Sequence, residues 1–303
     1  ACRVRNDQVS QPDYDVVVVG GGINGVGVAQ AVAAAGHRVL VLEKSGLAAG
    51  TSSKSSKLIH GGLRYLESYE FSLVRESLHE RTLLLKLAPD IVQLQDFCIP
   101  VYKTTRRSPL LLRTGLSFYW LLSGLNRNAG FSTVPRRQWD SLDGLRTDDL
   151  RCVFRYHDAR TDDALLTRAV MQSATELGAE LQCPAHFWGA DLHTTGCQVH
   201  YRLGEREHSC STRVLVNAAG PWVNDVARLV QPEVERLPIQ LVQGTHIEVP
   251  GEMGEQFYYL ESPRDGRAVF VMPREGRLII GTTETRFRGY PDYVHPHQGE
   301  ESY

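Results

Sequence analysis

Hydrophobic positions along this chain change period several times, and each change marks an element. Tyr14-Asp15-Val16-Val17-Val18-Val19 is a nearly continuous apolar run, the pattern of a strand buried on both faces. Gly20 to Gly22 break it as a tight turn, and Ile23, Val26, Ala29 and Ala33 then recur at helical spacing until Gly36 supplies a stop. Arg38 to Leu42 reads as a second strand, so the opening segment predicts a βαβ unit with parallel strands and a right-handed crossover. Phe71, Val74, Leu78, Leu85 and Ala88 share one stripe of a long helix that Pro89 terminates, and a further sheet region starts near Phe97. Thr161-Asp162-Asp163 opens another helix, with Leu165, Leu166, Ala169, Val170, Ser173 and Leu177 on its buried face and Gly178 at its end. Cys197, Val199, Tyr201 and Leu203 alternate with Gln198, His200 and Arg202, the period of a half-exposed antiparallel strand. Val214 to Gly220 predicts one more buried strand, returning to the first sheet before a helix start at Pro221-Trp222-Val223. Residues 236–303 read as strand-rich, most clearly at Thr245 to Val249, Ala268 to Met272 and Leu278 to Thr282.

Together these elements predict an α/β protein. A Rossmann-like dinucleotide-binding domain with a mainly parallel sheet is expected over 14–90 and 160–235. An inserted, strand-rich α+β domain is expected over 91–159 and 236–303. The length of 303 residues leaves room for about two domains. With 42% apolar and 22% charged residues the chain can build a core, which excludes a disordered or collagen-like class. Lys plus Arg number 33 against 35 Asp plus Glu, so the net charge of -2 supplies no global attraction to nucleic acid, and none is expected as a partner. Cysteines 2, 98, 152, 183, 197 and 210 form no C-x-x-C pair, which predicts neither a disulfide framework nor a metal site and suits a reducing compartment. No segment has the make-up of a secretory signal. The chain starts Ala1-Cys2 without Met and stops at Tyr303 without a closing element, so an internal portion of a longer protein is expected.

Candidate chemistry begins at Gly20-x-Gly22-x-x-Gly25, directly after a buried strand and opening a helix. Gly20 allows the sharp turn, Gly22 lets backbone approach a pyrophosphate, and Gly25 permits close packing of helix on strand, while the helix N-terminus faces the anion. Glu43 ends the second strand where a carboxylate can accept from ribose hydroxyls, and its charge disfavours the 2′-phosphate of NADP. The motif by itself leaves FAD and NAD open.

At Thr51-Ser52-Ser53-Lys54-Ser55-Ser56-Lys57-Leu58-Ile59-His60-Gly61-Gly62-Leu63-Arg64-Tyr65-Leu66-Glu67 the sequence resembles the FAD-dependent glycerol-3-phosphate dehydrogenases. The likeness extends to Gly20-Gly21-Gly22-Ile23-Asn24-Gly25, Tyr69-Glu70-Phe71, Val216-Asn217-Ala218-Ala219-Gly220-Pro221-Trp222 and Ile280-Gly281-Thr282-Thr283. The wider D-amino-acid-oxidase-like flavoproteins share the glycine turn and the N-A-A-G-x-W segment but usually not the serine-rich run. The resemblance implies FAD, with contacts at Gly20, Gly21, Gly22, Ile23, Asn24, Gly25, Glu43 and Lys44. Further contacts are implied along Thr51, Ser52, Ser53, Ser55, Ser56, Lys57 and Leu58, and at Ala219 and Gly220. It places His60 as the catalytic base and Arg64, Tyr65 and His246 at the substrate. It also marks two departures: Gln243 stands where some relatives carry Lys, and the family's later arginine- and lysine-bearing segments do not occur before Tyr303.

The residue types suit that chemistry. Oxidation of a secondary alcohol requires loss of the hydroxyl proton, which a histidine near neutrality can take, and transfer of hydride to flavin N5. A phosphate is well held by the planar fork of an arginine. Without its motif, His60 between Ile59 and Gly61-Gly62 would read as a satisfied core histidine, Arg64 as a surface arginine, and His246 as a strand histidine bonding backbone. The segment from Leu110 to Leu122 is too short and interrupted to span about 30 Å of hydrocarbon. With Arg106, Arg107 and Arg113 beside it, residues 106–125 are expected either to lie in a membrane interface with access to a quinone or to form a buried helix.

The activity expected is oxidation of sn-glycerol 3-phosphate to dihydroxyacetone phosphate with electrons passed to quinone, in glycerol metabolism, at the cytoplasmic side of the inner membrane. A homodimer is compatible with it. The alternatives are a glycerol-3-phosphate oxidase using O2, a related amine or amino-acid oxidase, and a flavin-binding fragment without turnover.

Overall fold

The computed structural model describes residues 11–262, 264–296 and 300, so Cys2 lies outside the described residues. Its long helices are α1 (Ile23–Ala34), α2 (Phe71–Leu87), α3 (Pro109–Leu122) and α4 (Asp163–Glu176). The chain divides into two compact units, Ala1–Ser55 with Asp163–Ile239 and Ser56–Asp162 with Gln240–Tyr303.

In the first unit seven strands form one sheet, in the order Val230–Gln231, His186–His193, Gly196–Leu203, Arg206–Asn217, Tyr14–Val19, Val39–Leu42 and Glu180–Gln182. Tyr14–Val19 runs parallel to both neighbours, Val17 lying opposite Leu215 on one side and Leu40 on the other. The valine run is buried as its composition demands: Val17, Val18, Leu40 and Val41 are fully covered. One face packs on α1 and α4 through Val26, Ala29, Met171 and Ala174, and the other is filled by Phe187, Val199 and Tyr201 of the antiparallel meander. Val214 departs from the expected burial and is 51% exposed. Val216 and Ala218, further along the same strand and its exit, reach the cluster that α1 builds, whereas Val214 does not.

The second unit is an eight-stranded sheet whose main path runs His246–Pro250, Arg277–Gly281, Ala268–Arg274, Phe257–Glu261, Val92–Tyr102, Leu150–Thr161 and Leu58–Ile59. α2 and α3 cover one face, with Val74, Leu78, Leu116 and Tyr119 packed on Phe97, Ile99 and Tyr156. This packing moves a boundary. Residues 56–90, expected with the dinucleotide domain, belong to the second unit, because Leu58–Ile59 pairs with Leu150–Thr161 and α2 rests on Val92–Tyr102. The strand expected to start near Phe97 begins earlier, at Val92.

Candidate active site

In the first unit, the glycine turn shows why glycine is required. Gly20 has φ +113°, and a Cβ there would sit 2.5 Å from the Ala218 carbonyl oxygen, while one on Gly25 would lie 1.9 Å from the Gly20 oxygen. Glu43, 9% exposed, accepts from Gly21 N at 2.7 Å through Oε2 and from Ser45 N at 2.8 Å through Oε1. Oε1 also takes the Ser45 hydroxyl at 3.1 Å and Gly46 N at 3.3 Å, so Glu43 fixes the turn and Oε2 is the oxygen with room for one ribose hydroxyl. The Ser52 hydroxyl accepts from Ile23 N at 2.9 Å and takes one orphan donor of α1. The N–H groups of Gly22, Asn24 and Gly25 have no partner among the described residues. Three such donors at the positive end of a 12-residue helix are what a pyrophosphate needs.

The flanking residues are arranged around this turn. Lys44 Nζ stands 4.1 Å from the centre of the Trp222 ring, whose buried Nε1 has no hydrogen-bond partner among the described residues. Asn217 donates to Val223 O at 2.8 Å and accepts from Ala219 N at 3.3 Å, shaping the turn into Gly220. Thr51, Ser52 and Ser53 form one 3-10 turn, and Ser55 is tied by N and Oγ to Asp163 Oδ2 at 3.0 and 2.6 Å, a tether to the start of α4.

In the second unit the run continues with Ser56, whose Oγ lies 3.0 Å from His246 Nε2. Lys57 adopts the left-handed φ of +59° and its carbonyl accepts from Thr161 N at 2.9 Å, which turns the chain into the short strand Leu58–Ile59. His60 follows and is exposed, so the reading as a core histidine is excluded. Arg64 and Tyr65 sit on the 3-10 turn Leu63–Leu66, Arg64 making a 3.4 Å ion pair with Glu284. A Cβ on Gly62, at φ +75°, would meet the Tyr65 ring at 2.7 Å. Among the described residues no hydrogen bond joins His60 to Arg64, Tyr65 or His246; the structure pairs His246 with Ser56 instead. Burial, then the charge of Lys57, hold the His246 imidazole below its ordinary value, so the ring is neutral at pH 7.

A cavity of about 250 Å³ opens beside Ser56 and Lys57, floored by Phe257, Met272 and Ile279. Its cations Lys57, Arg160 and Arg274 are matched by Asp90, Asp162 and Glu275, so it offers an anion no net field. Gln243 is buried and donates to His295 O at 2.9 Å.

Residue reading overlooked Arg81, Tyr119 and Asp158, which lie buried under His60 and Gly61. Arg81 and Asp158 form an ion pair of 2.5 Å with both side chains 1% exposed. One signal was available: Arg81 falls on the apolar stripe that runs through Val74 and Leu78, where a charge implies a buried partner.

The apolar segment folds as α3, capped by Ser108 Oγ on Leu111 N at 3.2 Å. Leu116 and Tyr119 are buried, as a core helix requires, while Leu110, Leu111 and Leu121 are 75%, 59% and 56% exposed. The arginines differ from expectation. Arg107 is engaged by Glu261 at 2.7 Å and Glu67 at 3.0 Å, and Arg106 donates to Asp265 O at 2.9 Å, leaving Arg113 as the arginine on the helix itself. Among the described residues no helix is long and apolar enough to cross a membrane, and no cluster of candidate metal ligands occurs.

A dinucleotide turn on a parallel sheet, joined in one chain to a strand-rich unit bearing exposed histidine and arginine, defines a two-unit flavoprotein. The sequence profile described as "FAD dependent oxidoreductase" (DAO) matches residues 15–302, and the chain belongs to that family, whose cofactor is FAD. It is similar to the D-erythritol 1-phosphate dehydrogenase of Brucella abortus (strain 2308), 38% identical over 95% of this chain and 58% of that protein. It is equally similar to a glycerol-3-phosphate dehydrogenase of Pseudomonas aeruginosa, 39% identical over 96% of this chain and 56% of that protein. The chain therefore spans a little over half the length of these curated relatives. Among solved structures, the FAD complex of glycerol-3-phosphate dehydrogenase from Bacillus halodurans superposes with TM-score 0.71 at 25% identity, covering 96% of this chain and 51% of that one. Glycine oxidase from Geobacillus kaustophilus, at 18% identity and TM-score 0.72 over 96% of this chain and 76% of that one, shares the fold.

Proposed function

We propose that this protein oxidises sn-glycerol 3-phosphate to dihydroxyacetone phosphate. The observation that carries the reading is the loop from Ile59 to Leu66, which presents an exposed His60 and, one turn later, an exposed Arg64 from a glycine pair seated on buried structure. FAD, when bound, supplies the two-electron oxidant that accepts hydride from the alcohol carbon. The donors of Gly22, Asn24 and Gly25 hold its pyrophosphate and Glu43 its ribose. His60 takes the proton of the substrate hydroxyl. Arg64 binds the phosphate: its partner Glu284 is 61% exposed, and an exposed pair contributes at most about 1 kcal/mol, which a dianion readily outcompetes. His246, neutral and oriented by Ser56, donates a ring N–H to a substrate oxygen, and Tyr65 flanks it.

Quinone is the acceptor in this reading, reached through contact of the outer face of α3 with the cytoplasmic side of the inner membrane. Leu110, Leu111, Phe118, Trp120 and Leu121 form an exposed apolar face, and Arg113 adds a basic group. A second substrate, D-erythritol 1-phosphate, is favoured by the 38% identity to the dehydrogenase of that name; it too is a polyol monophosphate with secondary hydroxyls.

The test is anaerobic bleaching of the bound flavin. Reduction by glycerol 3-phosphate but not by glycine or proline is expected, with reoxidation by a soluble quinone analogue faster than by O2. Bleaching by erythritol 1-phosphate in preference reassigns the substrate. Rapid reoxidation by O2 with peroxide release makes the protein an oxidase, and bleaching by an amino acid alone overturns the reading.

A further inference from the structure

The loop that carries His60 rests on a buried charge. Asp158, on Leu150–Thr161, directs Oδ1 at Arg81 Nη1 at 2.5 Å, accepts from Gly61 N at 3.0 Å, and lies 3.3 Å from the Tyr119 hydroxyl. Arg81 also donates to His157 O at 3.0 Å and Asn128 O at 3.1 Å, so the guanidinium is held from several sides. The contact with the loop is close enough to dictate its sequence. A Cβ on Gly61 would fall 2.2 Å from the Tyr119 hydroxyl oxygen and 2.5 Å from Leu78 Cδ2. Only glycine lets the backbone beside His60 settle on this network.

We propose that Asp158 is a positioning residue for His60, acting through Gly61; this rests on the reading of His60 as the base. A backbone N–H held by a buried carboxylate fixes the direction in which the preceding side chain leaves the loop.

The charged and titratable groups around this carboxylate are Arg81 from α2, Tyr119 from α3, Tyr156 on its own strand and His60 above it. Burial raises the Asp158 carboxyl, with Arg81 and then His60 pulling the other way. With Arg81, Tyr119 and Gly61 converging on one oxygen, the carboxylate is the form this site holds. An unpaired charge at such a site is strongly destabilising, so the pair is best altered together.

The experiment uses the FAD-loaded protein and two double variants: Arg81→Gln/Asp158→Asn, which loses the ion pair but keeps an acceptor for Gly61 N, and Arg81→Met/Asp158→Leu, which loses the acceptor as well. Two quantities are read: the His60 ring resonances at one fixed pH, and the rate of anaerobic flavin reduction at saturating glycerol 3-phosphate. In the second variant, folded and FAD-bound, the resonances are expected to move and the rate to drop about tenfold, with the first variant nearer the wild type. Unchanged His60 resonances in the second variant overturn the proposal. Moved resonances with an unchanged rate show that Asp158 positions His60 while His60 is not the base, so the two failures are distinct.

Discussion

His246 faces Gly281 across the antiparallel pair His246–Pro250 and Arg277–Gly281, and a Cβ on Gly281 would lie 2.7 Å from the imidazole Cδ2. The glycine of the I-G-T-T segment therefore makes room for the histidine ring that Ser56 orients. Gly281→Ala is expected to push the ring aside and weaken glycerol 3-phosphate binding about tenfold, or 1.4 kcal/mol, with FAD content unchanged. Titration of the flavin absorbance with substrate measures it. Wild-type affinity in the variant would remove His246 from the substrate site.

His246 also gives the fold a pH dependence of definite sign. Its folded-state value lies below the ordinary 6.5 because of burial and Lys57, so the unfolded chain takes up the proton first as the medium is acidified. This contribution to stability is complete above about pH 6.5 and is lost as pH falls through that value towards the lower folded one. Urea midpoints at pH 8 and pH 5.5 should therefore drop more in the wild type than in His246→Asn. An equal drop in the two proteins contradicts the assignment.

The outer face of α3 predicts membrane affinity separable from chemistry. Leu111 and Leu121 each bring about 2 kcal/mol of apolar burial to an interface if fully inserted. The double variant Leu111→Glu/Leu121→Glu should stay behind when wild-type protein floats with vesicles of mixed zwitterionic and anionic lipid, while its flavin is reduced at the wild-type rate. Flotation of both proteins alike would place the lipid contact elsewhere.

Much of the first unit could be read directly, because its signals are local. A valine run, three glycines at fixed spacing and Glu43 lie within one βαβ segment, where sequence neighbours become spatial neighbours. The second unit is harder for the opposite reason. Arg81 and Asp158 stand 77 positions apart, and nothing near either residue announces the other until α2 lies on the sheet. Arg107 shows the same limit: beside an apolar helix it reads as a lipid-facing cation, yet Glu67 and Glu261, from distant segments, take its guanidinium. Val214 looked buried because an apolar run does not reveal which of its residues the covering layer reaches. That Ser56 would pair with His246 and Ser55 with Asp163 was not legible in the serine-rich run.

In the proposed reaction the exposed His60, on the loop that Asp158 holds through Gly61, takes a proton from a polyol phosphate bound beside FAD. Stopped-flow flavin reduction by glycerol 3-phosphate, in wild type and His60→Ala with equal FAD content, measures that step. Rapid reduction is expected in the wild type and a loss of about 100-fold or more in the variant. Equal rates in the two proteins would contradict it.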